Sequence, residues 1–307
     1  MKKKSVLFLT LIISCFILTG CTNYVKDKNN KIVKDEITGQ NLVDNILCQP
    51  EAKSTLDVYK GQKKDISNLP KCTSFKITSG GYEGIWTSIF VKPLAWFILQ
   101  VSKIVKNSGV AIIIVTILIR SLMVPFTKQA ALQSENLKKV KPELDRLEKK
   151  YVNKTDQDSM MQKSQEMLML YKKYNINPMS GCLFSFIQLP LFMAFYEALY
   201  RLPAVFEGKF GPFELGTSPL VSIGNGNYYY LILALLVFLV TFYSFKLNSG
   251  AAMSAEQESQ MKMMRNITLV MIGTASFTVS SAISLYWITN STFTIVQNLY
   301  VKRGIEK

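Results

Sequence analysis

Apolar residues along this chain gather into long runs separated by polar, charged stretches, and the runs have the length of membrane-crossing helices. They predict spans over 109–126, 181–200, 228–245, 266–281 and 282–301, against the ~20 residues that a helix needs to cross ~30 Å of hydrocarbon. The third run is nearly all apolar and reads as a lipid-facing scaffold. Ahead of the first run, residues 84–107 set Trp86, Ile89, Phe90, Trp96 and Phe97 against Lys92, Lys103 and Lys106. That mixture predicts an amphipathic helix lying in the membrane interface, with Pro93 expected to kink or break it. A full crossing is the competing reading, and it would invert everything downstream. Between the first two spans, apolar residues recur at Leu137, Val140, Leu144, Leu147 and Tyr151. They resume at Met160, Met167, Tyr171 and Tyr174 after a polar stretch. This heptad-like stripe predicts an antiparallel helical hairpin over 127–175, bent by Pro142 in its first arm. Residues 201–227 are rich in Gly and Pro and read as an irregular loop.

Charge orients these elements. Thr127–Tyr174, Lys246–Arg265 and the tail from Lys302 carry net charges of +4, +1 and +2, while 201–227 carries none. Lys and Arg mark cytosolic loops, so the first span starts outside and the chain ends inside. The fold expected is all-α: a polytopic membrane protein with an interfacial helix, five spans, a cytosolic hairpin and a short cytosolic tail at 304–307.

Composition narrows the chemistry. The 307 residues are 49% hydrophobic with a net charge of +15. The basic surplus belongs to the cytosolic loops, so it is weak evidence for nucleic-acid binding. There is no histidine, which removes His triads and His metal sites, and there is no Gly-rich phosphate loop. No enzymatic reaction, metal or cofactor is expected.

The N-terminus opens with Lys2-Lys3-Lys4, then an apolar run from Val6 to Leu18, then Leu18-Thr-Gly-Cys21. Length and flanks fit an export signal over 1–20. Leu-Thr-Gly-Cys resembles a bacterial lipobox, which implies cleavage before Cys21 and a diacylglycerol on its sulfur; an uncleaved signal anchor is the alternative. Residues 21–83 would then lie outside the cytosol, and their polar, weakly patterned sequence reads as a small or poorly ordered segment. Cys48 and Cys72 share it, in a compartment where oxidation is permitted; whether they pair is left open. Cys182 reads as packing.

One charge interrupts the first span. Arg120 is the only charged residue from Val110 to Phe126, about 12 Å inside Lys128 at ~1.5 Å per helical residue. A cation in hydrocarbon costs at least ~2.5–3.5 kcal/mol, so it marks a functional site by default. Either a wet polar cavity lowers that cost, or the side chain snorkels or pairs with a carboxylate. Polar residues for a cavity are at hand. Thr116 stands one turn before Arg120, Gln188 precedes Pro190, and the last two spans hold Thr268, Thr274, Ser276, Ser284, Asn290, Ser291 and Gln297. Small hydroxyl residues serve equally for close helix packing. Glu197 and Arg201, four apart, read as a local interfacial pair.

Three segments carry a resemblance. Ile119-Arg-Ser-Leu-Met-Val-Pro125, Asn177-Pro-Met-Ser-Gly-Cys-Leu183 followed by Ile187-Gln-Leu-Pro190, and Leu285-Tyr-Trp-Ile-Thr-Asn290 ending in Ile295-Val-Gln297 resemble the YidC/Oxa/Alb membrane-protein insertases. The order and spacing match over about Gly84–Arg303, in the manner of the short, lipoprotein-type, five-helix branch of Gram-positive-type bacteria. The resemblance implies five helices around a hydrophilic groove open to cytosol and bilayer. Arg120 would be the groove arginine and Thr116 its polar neighbour. Gln188 and Asn290 would line the groove, and Tyr286 and Trp287 would be the aromatic pair of the last span. Such a protein inserts and chaperones nascent membrane proteins and sits in the bacterial cell membrane as a monomer. The hairpin and Lys302-Arg303 would meet the ribosome or anionic lipid, and whether the Sec translocon shares the work is left open. Met160, Met161, Met167 and Met169 suit varied client helices, although coiled-coil packing accounts for Met160 and Met167. A small-anion transporter using Arg120 is the alternative, but the internal repeats common in transporters are not found.

Overall fold

The computed structural model describes residues 23–61, 66–154, 156–177, 180–248 and 255–306. The leader at 1–20, Cys21 and the side chain of Cys182 lie outside these. The helices are α1 (Lys53–Gly61), α2 (Gly84–Val105), α3 (Ser108–Tyr151), α4 (Gln157–Lys173), α5 (Ser180–Arg201), α6 (Pro203–Phe206), α7 (Pro219–Gly224), α8 (Leu231–Asn248), α9 (Ala255–Thr278) and α10 (Ser281–Glu306). The strands are β1 (Lys209–Phe210) and β2 (Phe213–Glu214). The predicted spans therefore sit on helices, but first span and first hairpin arm are one continuous helix, and α9 and α10 run past the predicted bounds at their polar ends.

Local chemistry sets the boundaries. Lys106 adopts the left-handed conformation (φ 54°) that ends α2, and Asn107 caps α3 by accepting a 3.0 Å bond from the Val110 amide. Asp156 caps α4 through the Ser159 amide at 2.8 Å. Pro93 does not break α2, contrary to expectation. A π turn over Thr87–Val91 precedes it and absorbs the missing N–H.

Three helices among the described residues are long and apolar enough to cross a membrane: Gly84–Val105, Ser108–Tyr151 and Tyr228–Leu247. α9 and α10 carry too many hydroxyl, amide and charged side chains to reach that apolarity. The main core joins α2 (Val91, Ala95, Ile98), α3 (Ile112, Val115), α5 (Phe195, Ala198, Leu199) and α10 (Ile283, Tyr286). Outside it, α8 exposes Leu231, Ile232, Leu235, Phe238, Phe242 and Tyr243. Water would not tolerate so continuous an apolar face; lipid does.

The N-terminal segment corrects the sequence reading. It is folded, with its own core of Val25, Leu42, Val43, Ile46, Tyr59 and Ile66 closed by Phe206 of α6. Asp35 organises it, accepting from Thr38 N and Oγ1 and from Thr55 Oγ1, each at 2.8 Å. Cys48 and Cys72 are disulfide-bonded and buried in the main core, so this cap and the helical bundle share one interior. Residues 201–227 are ordered as well. α6, a two-residue-strand hairpin and α7 form a plate beneath the cap. Gly216 is required there, because a Cβ would lie 2.5 Å from Phe206 O and 2.8 Å from Thr38 Oγ1. The turn between α9 and α10 is pinned to the same plate, where Ser281 donates to Thr217 O from both N (2.9 Å) and Oγ (2.7 Å).

A buried ion cluster fastens cap to bundle. The local Glu197–Arg201 pair is not what forms. Arg201 turns to Glu83 and gives Asn45 O a 2.6 Å bond, while Glu197 accepts from the Trp86 indole at 3.0 Å. Lys92, 1% exposed, reaches Glu83 at 2.9 Å and donates to Ser79 O and Gly81 O. A carboxylate that meets two buried cations outcompetes one that is merely a helical turn away. Burial raises the Glu83 carboxyl, but the Lys92 hydrogen bond and the adjacent Arg201 outweigh it and hold the group below its ordinary range.

At the opposite end, the hairpin forms as the stripe predicts. Leu137, Val140, Leu144, Tyr171 and Ile176 are buried together with Met167 against them. Met160 is 51% exposed and is not part of that seam. Lys150 and Tyr151 bind Glu166 at 2.7 and 2.8 Å, and Lys138 ties the hairpin root to Leu247 O of α8 at 2.8 Å.

Two outcomes follow from the cap. The disulfide closes a loop with a sequence separation of 24, and a loop of that size is worth on the order of 3 kcal/mol in the chain-entropy account. Reduction, or Cys48→Ser, is expected to expose 49–71 to limited proteolysis while the hairpin fragment pattern stays unchanged. Because Glu83 is depressed in the folded state, its contribution is present at neutral pH and lost as pH falls through its lowered value. Cleavage within 76–83 is expected to rise on acidification below the usual carboxylate range, and Glu83→Gln should show the acid pattern already at pH 7.

Candidate functional site

Arg120 lies on α3, 3% exposed, so it does not snorkel. No carboxylate among the described residues pairs with it. Its partners are neutral and come from α10: Nε donates to Asn290 Oδ1 at 2.5 Å, and Nη2 donates to Thr294 Oγ1 at 2.9 Å and to Asn290 O at 3.5 Å. Seven residues further along α3, Thr127 Oγ1 accepts a 2.7 Å bond from Gln297. α3 and α10 form the most extensive helix pairing of the protein, and these two polar rungs run down it.

Periodicity explains the seam. Asn290, Thr294 and Gln297 recur at four and three residues on α10, as Arg120 and Thr127 recur at seven on α3, so each set faces one way. Sequence reading placed Arg120 and Asn290 in the site and overlooked Thr294 and the Thr127–Gln297 rung. The i, i+4 step from Asn290 was the signal that would have found Thr294.

The other expected residues behave differently. Thr116 is buried and returns its hydroxyl to Ile112 O of its own helix at 2.6 Å. Gln188 is half-buried on α5, and no hydrogen bond joins it to Arg120 among the described residues. Tyr286 is 1% exposed and stacked on Phe195 with centroids 4.2 Å apart. Trp287 meets Phe192 edge-on at 5.1 Å. The aromatic pair therefore packs α10 on α5, and only Trp287 keeps partial exposure. Two buried hydroxyls on α10, Ser284 Oγ and Tyr286 OH, have no hydrogen-bond partner among the described residues. A cavity of about 830 Å³ lies elsewhere, between the β1–β2 hairpin, Tyr228–Tyr229, α8 and α9. Its lining of Pro212, Phe213, Tyr228, Leu235, Phe238 and Phe277 is apolar and does not include the arginine. No group of metal-ligating side chains occurs among the described residues.

A buried cation held only by amide and hydroxyl oxygens retains its full charge. It is suited to attract an anion. The family described as 60Kd inner membrane protein matches residues 100–307. The chain is 33% identical over 72% of its length to the membrane protein insertase YidC of Oceanobacillus iheyensis, covering 85% of that protein. It is 36% identical over 71% of its length to the membrane protein insertase YidC of Alkalihalophilus pseudofirmus, covering 82% of it. It is 34% identical over 76% of its length to the membrane protein insertase MisCA of Bacillus subtilis, covering 86% of it. A crystal structure of an active YidC insertase, with its first transmembrane domain resolved, aligns at a TM-score of 0.48 and 22% identity. That alignment covers 79% of this chain and about half (52%) of the other. With its apolar helices, the chain is a protein of the bacterial membrane, and it belongs to the 60Kd inner membrane protein family, the family of the YidC and MisCA insertases.

Proposed function

We propose that this protein is a membrane-protein insertase and chaperone, acting on nascent chains through Arg120. The observation that carries the reading is the guanidinium itself: buried between α3 and α10, with neutral acceptors and no carboxylate among the described residues. A polar segment crossing bare lipid loses several kcal/mol for each unsatisfied group. A half-depth polar site shortens the dry path, and its cation draws acidic residues of the client's leading segment inward. The client's apolar segment then moves along α3 and α10 into lipid. The membrane potential, ~2.3 kcal/mol per charge per 100 mV, favours outward passage of the acidic segment.

In this reading α3, α5, α8, α9 and α10 span, the cap lies outside the cytosol with Cys21 lipidated, and hairpin and C-terminus are cytosolic. α2 lies flat in the outer interface, and its hydrogen bonds support that placement. Trp86 near its start bonds Glu197, and Asn107 just past its end donates to Lys209 O at 3.1 Å. Glu197 lies in the last two turns of α5 and Lys209 just beyond α6, so both ends of α2 meet the same end of α5, whereas a crossing would hold the two ends ~30 Å apart across the bilayer. Exposed Met161 and Met169 on α4 are placed to meet client helices, and the hairpin lysines with Lys302 and Arg303 to meet a ribosome or anionic headgroups.

Replacing Arg120 with Ala is expected to cut insertion of a client with an acidic leading segment about tenfold, the scale of one charge-assisted hydrogen bond. The same client with a neutral leading segment should change by less than about twofold. Equal losses for both defeat the electrostatic account. Photo-crosslinkers at Thr116, Gln188 and Trp287 are expected to capture ribosome-stalled nascent chains in native membranes; adducts to lipid alone would oppose the reading.

A further inference from the structure

The contacts of Arg120 have the geometry of carboxylate recognition. Nε and Nη2 form the side-on edge of a guanidinium, the fork that takes the two oxygens of one carboxylate in parallel. Here that edge is filled by Asn290 Oδ1 at 2.5 Å and Thr294 Oγ1 at 2.9 Å. The Thr294 hydroxyl spends its proton on Asn290 O at 3.0 Å, so lone pairs face the arginine. Two neutral oxygens from adjacent turns of α10 thus stand where one carboxylate would. We propose that Asn290, seconded by Thr294, is a placeholder for the client's acidic side chain and sets the selectivity of the site by being neutral.

The consequence is a competition, and it rests on the insertase reading above. An amide oxygen satisfies the buried cation while the site is empty. It is also the weaker acceptor, because a carboxylate adds direct Coulomb attraction to the guanidinium and takes both N–H donors in parallel. An acidic client residue therefore displaces the side chain of Asn290, which is only half-buried. The Thr127–Gln297 rung at 2.7 Å does not involve the arginine and keeps α3 and α10 in register while the upper rung exchanges. A carboxylate built into position 290 would close the fork with a resident ion pair. Removing the acceptor altogether would leave the fork open to the client.

The test uses the full-length protein in phosphatidylethanolamine–phosphatidylglycerol proteoliposomes. One single-span client is presented in two forms, with Asp/Glu or with Asn/Gln in its leading segment, and the ratio of their insertion is read. Asn290→Asp is expected to lower the acidic-to-neutral ratio at least about tenfold, and Asn290→Leu, similar in volume, to raise it severalfold. Arg120→Ala runs beside them. If it lowers both clients alike, the electrostatic insertase reading fails. If it is selective while Asn290→Asp keeps the wild-type ratio, the placeholder fails and the reading stands. Should Asn290→Asp lose both clients equally, as a misfolded protein would, Asn290→Leu becomes the deciding variant, and an unchanged ratio there overturns the proposal.

Discussion

A guanidinium buried between two helices, held by oxygens that carry no charge, is the constraint around which this protein is arranged. Hydrocarbon penalises an ion far more than any neighbouring contact rewards it, so α3 and α10 must present polar atoms to each other along their shared face. That requirement accounts for amides and hydroxyls on α10 where a lipid-facing helix would carry Leu and Val. It also accounts for the lower apolarity of α10 beside α8, which exposes an aliphatic and aromatic surface. Because the cation is satisfied without being neutralised, the seam holds the bundle together and stays electrostatically unfinished.

The rest of the fold fixes one end of that seam. The cap, the plate over 201–227 and the α9–α10 turn converge there, through the disulfide, the Glu83 cluster and the double bond from Ser281 to Thr217. At the other end, Lys138 ties the hairpin root to α8.

Much of this was legible in the sequence wherever a single period governed. The hairpin seam followed its 3-4 spacing, with Leu137, Val140 and Leu144 buried as the stripe required. Arg120 stood out because one charge in an apolar run has few explanations, and Asn290 lay in a recognisable segment. The cap was illegible because its core has no period: Val25, Leu42 and Tyr59 meet through short bridges and are closed by Phe206, far along the chain. Arg201 was misjudged for a related reason. The i, i+4 rule weighs local partners, and it cannot see Glu83, which a second buried cation makes the stronger acceptor. The motif marked Tyr286 as one of an aromatic pair, but its stacking on Phe195 was not legible, since residue type alone does not say which way a helix face points.

α3 is a single helix of 44 residues, a rod of roughly 66 Å at ~1.5 Å per residue. Its far tip is the hairpin and its near shaft carries Arg120, so a load that tilts the tip arrives at the guanidinium as leverage. Pro125 stands five residues past Arg120 and cannot bond the Ser121 carbonyl, which places a compliant joint directly beyond the cation. Force on the hairpin tip would thus be transmitted mechanically to the fulcrum at Asn290, with no chemical messenger between them.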